Sequence, residues 1–366
     1  MENIKSLIIG LAVTVLVLTG YGLPSKAVAK PYYQGKTITV VIGLGPASGG
    51  TTVGRLLGKY MAMHIEGEPK VVIKNMPGAA FMKAHKYILK SAPKDGTVVY
   101  YGPRKPIGEL LELPGHDFNY TEFTILGGIQ VAGLVIAARS DVLDSGSAKS
   151  VADLLKSNKL KYGGLSPEHS RMLLSMTAMD LLGLKYRFVP GYGGSGKIRA
   201  ALFRGEVNLA TDAAHAYKNR VVPQLVNKNK GFGAFHIPIL AKDGSLINNP
   251  LVPNVPSFFV AYKECKGGEP SGERWEVMKT LIKIDQTVQH VYMGPPGMNE
   301  EAAAAFRKAF MPALTSEAYS KEAVKVLTYA PQPYEWQYTE KVLASTKDVP
   351  TSTVSYLKAY IAKHSK

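Results

Sequence analysis

The chain has 366 residues, 46% of them hydrophobic and 20% charged, with a formal net charge of +16 and a single cysteine. That composition excludes an intrinsically disordered polymer and a disulfide-stapled miniprotein, and the length allows one large or two ordinary domains with real cores. The positive surplus favours anionic partners by long-range steering, but the lysines are spread out, with no basic block, no aromatic-interleaved basic region and no zinc-finger or RNP-like signature, which argues against nucleic acid.

The first predicted element is a targeting segment. Lys5 precedes the apolar run LIIGLAVTVLVL, followed by a polar stretch with helix breakers and then Ala27-Val28-Ala29. A basic start, a short apolar stretch and an A-x-A ending predict a secretory signal peptide over 1–29, cleaved after Ala29. The apolar run of about 12 residues is shorter than the ~20 a membrane span needs.

From Lys30 the pattern alternates strand and helix, which predicts an α/β fold with parallel sheets covered by helices. Strand 37–42 (TITVVI) leads to a helix from Thr51 to about His64, and strand 70–73 leads to the loop 74–80 and a helix through Leu89. A Pro-Lys-Asp-Gly turn at 93–96 precedes strand 97–101. Strand 134–138 and helix 151–157 follow, then a short strand at 161–162 and a helix over 168–182. Strand 186–189, helix 198–204 and strand 207–210 come next, with Pro223 interrupting or beginning a helix. A strand is predicted at 236–241 (HIPILA), and the remainder is read as helical over 272–284, 300–314 and 316–327 and after Pro350.

Three glycine-bearing loops each open a helix. Bare backbone at a helix start leaves N–H groups unpaired at the positive end of the helix dipole, a place suited to an anion. The first is GLGPASGG at 43–50, continued by Thr51 and Thr52; Ser48 or Thr51 as a plain N-cap is the alternative. The second runs over 163–171, with Gly163, Gly164, Ser166, His169 and Ser170, and Ser166 as its natural cap. The third is GYGG at 191–194. Arg104, just past strand 97–101, stands where the carboxyl end of a strand meets the crevice of an open α/β sheet and could grip a carboxylate in bidentate fashion; a solvent-facing arginine is the alternative. Tyr101 and Tyr192 could wall the pocket or simply pack.

The decoys fail on chemistry. The 43–49 loop has the wrong spacing for a dinucleotide fingerprint, and the second strand ends in Lys74-Asn75 rather than an acidic ribose ligand. The segment 191–197 satisfies G-x-x-x-x-G-K, but Ile198 stands where a Mg²⁺-coordinating hydroxyl belongs. Eight histidines are scattered without an i, i+4 pair, so no metal is expected, and no G-x-S-x-G occurs. No cofactor and no catalytic set are expected.

The order of these motifs resembles the extracytoplasmic solute receptors of tripartite tricarboxylate transporters, the Bug family of periplasmic binding proteins. The matching pieces, in register over nearly the whole chain after residue 30, include ITVVIGLGPASGGTTVGRLLGKYM, VVIKNMPGAA, VADLLKSNKLKYGG, VPGYGG, ALFRGEVNLATD, PNVPSF and MGPPGMNEEAAAAFRKAF. The resemblance implies a type II periplasmic-binding fold: two α/β lobes with a ligand cleft between them, lobe one comprising 30–131 and 242–366 and lobe two 132–241. It implies a periplasmic, monomeric, non-enzymatic receptor that binds a small organic carboxylate and hands it to membrane permease subunits. The ligand-binding set it implies is Ser48, Gly49, Gly50, Thr51, Thr52, Gly164, Ser166, His169, Ser170, Tyr192, Gly193 and Asp212, to which the strand-end position adds Arg104. Two departures stand out: Thr52 occupies a place where the family commonly has an aspartate, and LSPEHS replaces a serine/glycine-rich facing loop. A periplasmic hydrolase or transferase using the same cleft, or a ligand-sensing subunit of a signalling system, are the competing readings.

Overall fold

The structure, a computed structural model, describes residues 30–144, 146–241 and 243–365. The signal peptide expected over 1–29 lies outside the described residues. The β-branched run TITVVI forms β1 (Thr37–Ile42), whose last three residues are buried. It is followed by β2 (Lys70–Asn75), β3 (Val98–Pro103) and β4 (Thr124–Gln130). A second group comprises β5 (Leu134–Arg139), β6 (Leu160–Gly163), β7 (Tyr186–Val189), β8 (Leu209–Ala213) and β9 (Gly231–His236). The two-residue strands β10 (Ile239–Leu240) and β11 (Leu246–Ile247) pair as a hairpin, and β12 (His290–Gly294) and β13 (Gln332–Tyr334) complete the set.

Two sheets result. The first has the order β13-β4-β12-β3-β1-β2 and the second β7-β6-β8-β5-β9. In the first, β1 lies parallel between β2 and β3, and β12 is inserted antiparallel between β3 and β4. In the second, β6 lies parallel between β7 and β8, and β5 is inserted antiparallel beside β8. Each sheet thus takes in one antiparallel strand that arrives from the other sheet: β5 follows β4, and β12 follows the segment after β9. This is the two-lobe arrangement the sequence predicts, and it directs the carboxyl ends of β1, β3, β6 and β8 to the crevice where open α/β sheets bind ligands.

The chain crosses first through Val131–Gly133. The crossing is held by glutamines: Gln130 Nε2 donates to the carbonyls of Leu240 (3.2 Å) and Gln286 (3.1 Å), and the Val131 N–H donates to Gln289 Oε1 (2.9 Å). The apolar cores meet there too. Ile38 of β1, with Leu57 and Phe306 of helices Gly49–His64 and Glu300–Thr315, belongs to one contiguous buried cluster with Val135 of β5 and with Ala214 and Tyr217 of the helical segment that follows β8. A separate cluster lies under the second sheet, where Tyr162, Met172 and Met176 pack with Phe258, Trp275, Met278 and Tyr360. Helices Phe258–Lys266, Glu273–Leu281 and Thr351–His364 therefore cover the second sheet although they follow it in sequence.

Strands β4, β9, β12 and β13 depart from the predicted elements. Strand β4 carries Gly127 and Gly128; a Cβ at these positions would stand 2.5 Å from the Phe310 ring and 2.5 Å from Thr339 Oγ1, so glycine is the residue that lets those side chains lie against the strand. Strand β9 ends at His236 rather than beginning there, and its Gly231 and Gly233 make room for Leu225 and Tyr217. Strands β12 and β13 lie in stretches between the predicted helices of the remainder, where no strand is expected. Pro223 interrupts a helix, the first of the two expectations for it, and sits inside the π-helical segment Tyr217–Val226. Among the described residues, no helix is long and apolar enough to cross a membrane.

Candidate functional site

The first wall is built at the end of β1. Ser48 caps the helix Gly49–His64 with an extended backbone, its Oγ accepting the Thr51 N–H at 3.1 Å. Thr51, fully buried, donates its hydroxyl to the Gly45 carbonyl (2.9 Å) and accepts Asn75 Nδ2 (2.9 Å), while Asn75 also donates to the Leu44 carbonyl (2.7 Å). The Thr52 hydroxyl turns back to the Ser48 carbonyl at 3.4 Å. The hydroxyls of Ser48, Thr51 and Thr52 are thus spent on the loop itself, as the plain-cap alternative has it. What this wall presents outward is backbone: the N–H groups of Gly49 and Gly50, first-turn donors with no acceptor inside the helix. A Cβ on Gly50 would meet Leu44 Cδ1 at 2.4 Å and His290 Cε1 at 3.4 Å, and one on Gly49 would lie 3.7 Å from His215 Nε2. Glycine here keeps a close approach between loop and histidines.

His290 opens β12, beside β3, and its Nδ1 is 2.9 Å from the hydroxyl of Tyr101. Tyr101 is wholly buried against Gly54, so it supports the histidine rather than facing a solute. Burial, helped by His215 and by the positive charge of Arg171, lowers His290 to about 3 and keeps it neutral.

The second wall is assembled from β6, β7 and β8. The loops after β6 and β7 are zipped together: the Gly164 N–H donates to the Val189 carbonyl (3.0 Å), Gly191 N–H to Leu165 O (2.7 Å) and Tyr192 N–H to Gly164 O (3.2 Å). Gly164 is glycine for packing, since a Cβ would strike the Phe188 ring at 2.4 Å and Met172 Sδ at 2.6 Å. The following helix begins at Ser170, and its cap is His169, whose Nδ1 accepts the Arg171 N–H at 3.2 Å. The expected cap, Ser166, lies a turn too early: its carbonyl receives the His169 N–H in a tight turn that brings the imidazole to the helix start. Burial, then Arg171 and Lys105, lower His169 to about 3, which leaves the ring neutral and able to accept at Nδ1. Ser170 is the first residue of this helix. Tyr192 is half-buried, and Gly193 is exposed next to the Lys197 side chain.

The third helix start, Ser195–Arg204, is joined to the second by Arg171, whose Nη1 donates to Ser195 Oγ at 2.7 Å. Asp212, at the end of β8, is buried. Its Oδ2 accepts Arg199 Nη1 at 2.5 Å and its Oδ1 accepts the Ala213 N–H at 3.0 Å. Three residues on, the His215 ring stacks on Tyr329 with centroids 5.4 Å apart, and its Nδ1 is buried without a hydrogen-bond partner. Burial lowers His215 despite the opposing pull of Asp212, with Arg171 and Arg199 adding to the lowering.

Arg104 differs from its expected role. Its side chain is buried, Nε donating to the Val288 carbonyl at 2.6 Å and Nη2 to the Ile284 carbonyl, with Nη1 enclosed and unpartnered. The guanidinium fastens β3 to the segment before β12 and does not stand in the crevice. The neighbouring Lys105 carries the accessible charge; partial burial lowers its ammonium, and Glu168 on the second wall acts the other way. Among the described residues, no group of three or more His, Cys, Asp or Glu is placed to hold a metal ion.

The structure therefore brings together Gly49, Gly50, His169, Ser170 and Asp212 from the expected set and adds Lys105, Arg171, Ser195, Arg199, His215 and His290. The signal for two of these was present in the chain: Arg171 closes the loop predicted over 163–171, and His215 lies three residues past Asp212 at a strand's carboxyl end.

No protein-family model matches the chain, and no curated protein matches it by sequence. Solved structures do resemble it. The periplasmic binding protein BugD aligns with a TM-score of 0.62 at 16% identity, covering 90% of this chain and 98% of its own. An R. palustris protein solved with adipate gives 0.62 at 16% identity over 90% and 97%. MatC from Rhodopseudomonas palustris, solved with bound malate, gives 0.56 at 18% identity over 90% and 98%. At such identities the likeness establishes the fold: two α/β lobes in the periplasmic-binding arrangement.

Proposed function

We propose that the protein is an extracytoplasmic solute receptor that binds a small organic carboxylate between its two lobes and passes it, unaltered, to a membrane permease. The observation that carries this reading is the convergence of three helix starts on one crevice. Gly49 of the first approaches His215 of the second wall, and Arg171 and Ser195 tie the other two together at 2.7 Å. Each start contributes N–H donors and the positive end of a dipole, and the enclosed Nδ1 of His215 is a polar atom awaiting a partner. The carboxylates bound by the adipate and malate structures of the same fold support the ligand class.

Ligand contacts are proposed for the Gly49–Gly50 backbone and for Gly164, Ser166, His169, Ser170, Tyr192, Gly193 and Asp212, with Ser48, Thr51 and Thr52 shaping the loop. Arg104 is omitted because main-chain carbonyls hold it. The proposed lobes are 30–131 with 242–366, and 132–241, the helices at 258–281 and 351–364 riding on the core of the second. Export through a cleaved segment ending at Ala29 belongs to the same reading, as does the absence of catalysis. Closure would be a hinge motion in which ligand shifts an existing equilibrium.

Calorimetry with malate, adipate and related acids, paired with mass spectrometry of the recovered solute, tests this. Stoichiometric binding with the acid returned intact is the expected result. Failure of every acid to bind, or conversion of a bound one, overturns it.

A further inference from the structure

Resting on the receptor reading, we infer that the cleft is built for acids that lack an amino group: Arg171 grips the anion, and the pair Arg199–Asp212 removes the one buried carboxylate that could hold an ammonium. The first half follows from what Arg171 lacks. It is half-buried, stands in the first turn of the helix Ser170–Leu182, and has no carboxylate within 4 Å among the described residues, its one side-chain bond being to the neutral hydroxyl of Ser195. A guanidinium with most of its donors unspent, fixed at a helix start, is a group organised for an incoming anion. The three nearby histidines, His169, His215 and His290, do not compete for that anion as cations, because burial and Arg171 itself hold them neutral.

The second half follows from what Asp212 already does. A ligand ammonium in a desolvated cleft needs a carboxylate to offset the loss of water. Asp212 is the buried acid of the second wall, and both of its oxygens are engaged, one by Arg199 and one by its neighbour's N–H. The other nearby acid, Glu168, is not buried, makes no ion pair within 4 Å among the described residues, and lies within electrostatic reach of Lys105. An amino acid would place its ammonium between Arg171 and Arg199 with no buried carboxylate left free to meet it, whereas the corresponding plain acid meets the donors of Arg171 and the helix starts.

Succinate and aspartate differ by that single amino group and serve as the probe pair, with adipate and malate as longer and hydroxylated references. Binding is measured by calorimetry on the full-length chain, the wild type alongside Arg171→Ala, Arg171→Lys and Arg199→Gln, each checked for an unchanged thermal transition. The wild type is expected to bind at least one plain acid and to bind aspartate at least tenfold more weakly than succinate. Arg171→Ala should weaken the plain acid by tenfold or more with Arg171→Lys between, and Arg199→Gln, which frees Asp212, should narrow the succinate-to-aspartate ratio. Aspartate binding as tightly as succinate, or Arg171→Ala leaving a folded protein with undiminished affinity, overturns the inference while leaving the receptor reading intact. Absence of binding by every acid instead overturns the receptor reading on which it rests.

Discussion

The two walls of the crevice solve the same task with different means. The wall after β1 turns its hydroxyls inward, onto Gly45, Ser48 and Asn75, and offers a neutral backbone edge. The wall after β6, β7 and β8 offers side chains, with Arg171 and Arg199 as charges and His169 as a neutral cap. One side supplies shape and the other supplies charge. The division separates affinity from architecture, so substitutions on the first wall should act chiefly through loop geometry and those on the second through electrostatics.

The sharpest way to break that comparison is Arg104→Ala. Removing a buried guanidinium strands the carbonyls of Ile284 and Val288, and at about 1.5–3 kcal/mol per hydrogen bond to a charged group the protein should lose about 3 kcal/mol or more. Chemical denaturation reads the loss, and acid affinity should change little in the protein that remains folded. A folded variant of normal stability with collapsed affinity would return Arg104 to the site.

Next in size is Gly50→Ala. The added methyl must displace Leu44 and crowd His290, an overpacking cost of about 1–3 kcal/mol that should appear both in the thermal transition and in weaker ligand binding. If both stay unchanged, the close approach of loop and histidine is not what shapes the first wall.

Acidification tests the neutral histidines. His85 and His290 are each lowered by burial to about 3, below the ordinary value near 6.5, so the unfolded chain takes up protons first as pH falls. Their contribution to stability is therefore complete above pH ~6.5 and is lost on descending from there towards about 3, at up to about 1.4 kcal/mol per pH unit for each group. The thermal transition should fall over that window, and His290→Gln should shallow the slope. A slope identical to the wild type would mean that His290 is protonated in the folded protein.

The smallest expected effect is Ser48→Ala. Loss of an N-cap costs about 1 kcal/mol, and because the hydroxyl is spent within the loop, ligand affinity should follow only as far as the loop loosens. A large loss of affinity at unchanged stability would make Ser48 a direct contact.

Much of this was legible in the chain. The strands TITVVI, LVIAAR and YRFV carry β-branched or aromatic residues and sit between clear breakers, so their places and the alternation of strand and helix could be read locally. Strands β4 and β9 could not, because their glycines mark room for Phe310 and Tyr217, partners not adjacent in sequence, and carry no local strand pattern. The site shows the same limit. Helix starts at 49, 170 and 195 are local features. That Arg171 reaches Ser195, that Arg199 neutralises Asp212, and that Arg104 is taken by carbonyls 180 and 184 residues away are tertiary facts with no local mark.

The glutamine cluster at the first crossing bears on how such a molecule would open. Gln130 and Gln289 stitch the crossing to Leu240, Gln286 and the Val131 N–H, binding two passages of the chain side by side. Two parallel tethers resist shear but yield to bending, so the lobes would swing like a book on its spine, with the far rim travelling most. Entry would then be from the rim opposite those amides, and a solute would be released through the gap by which it came.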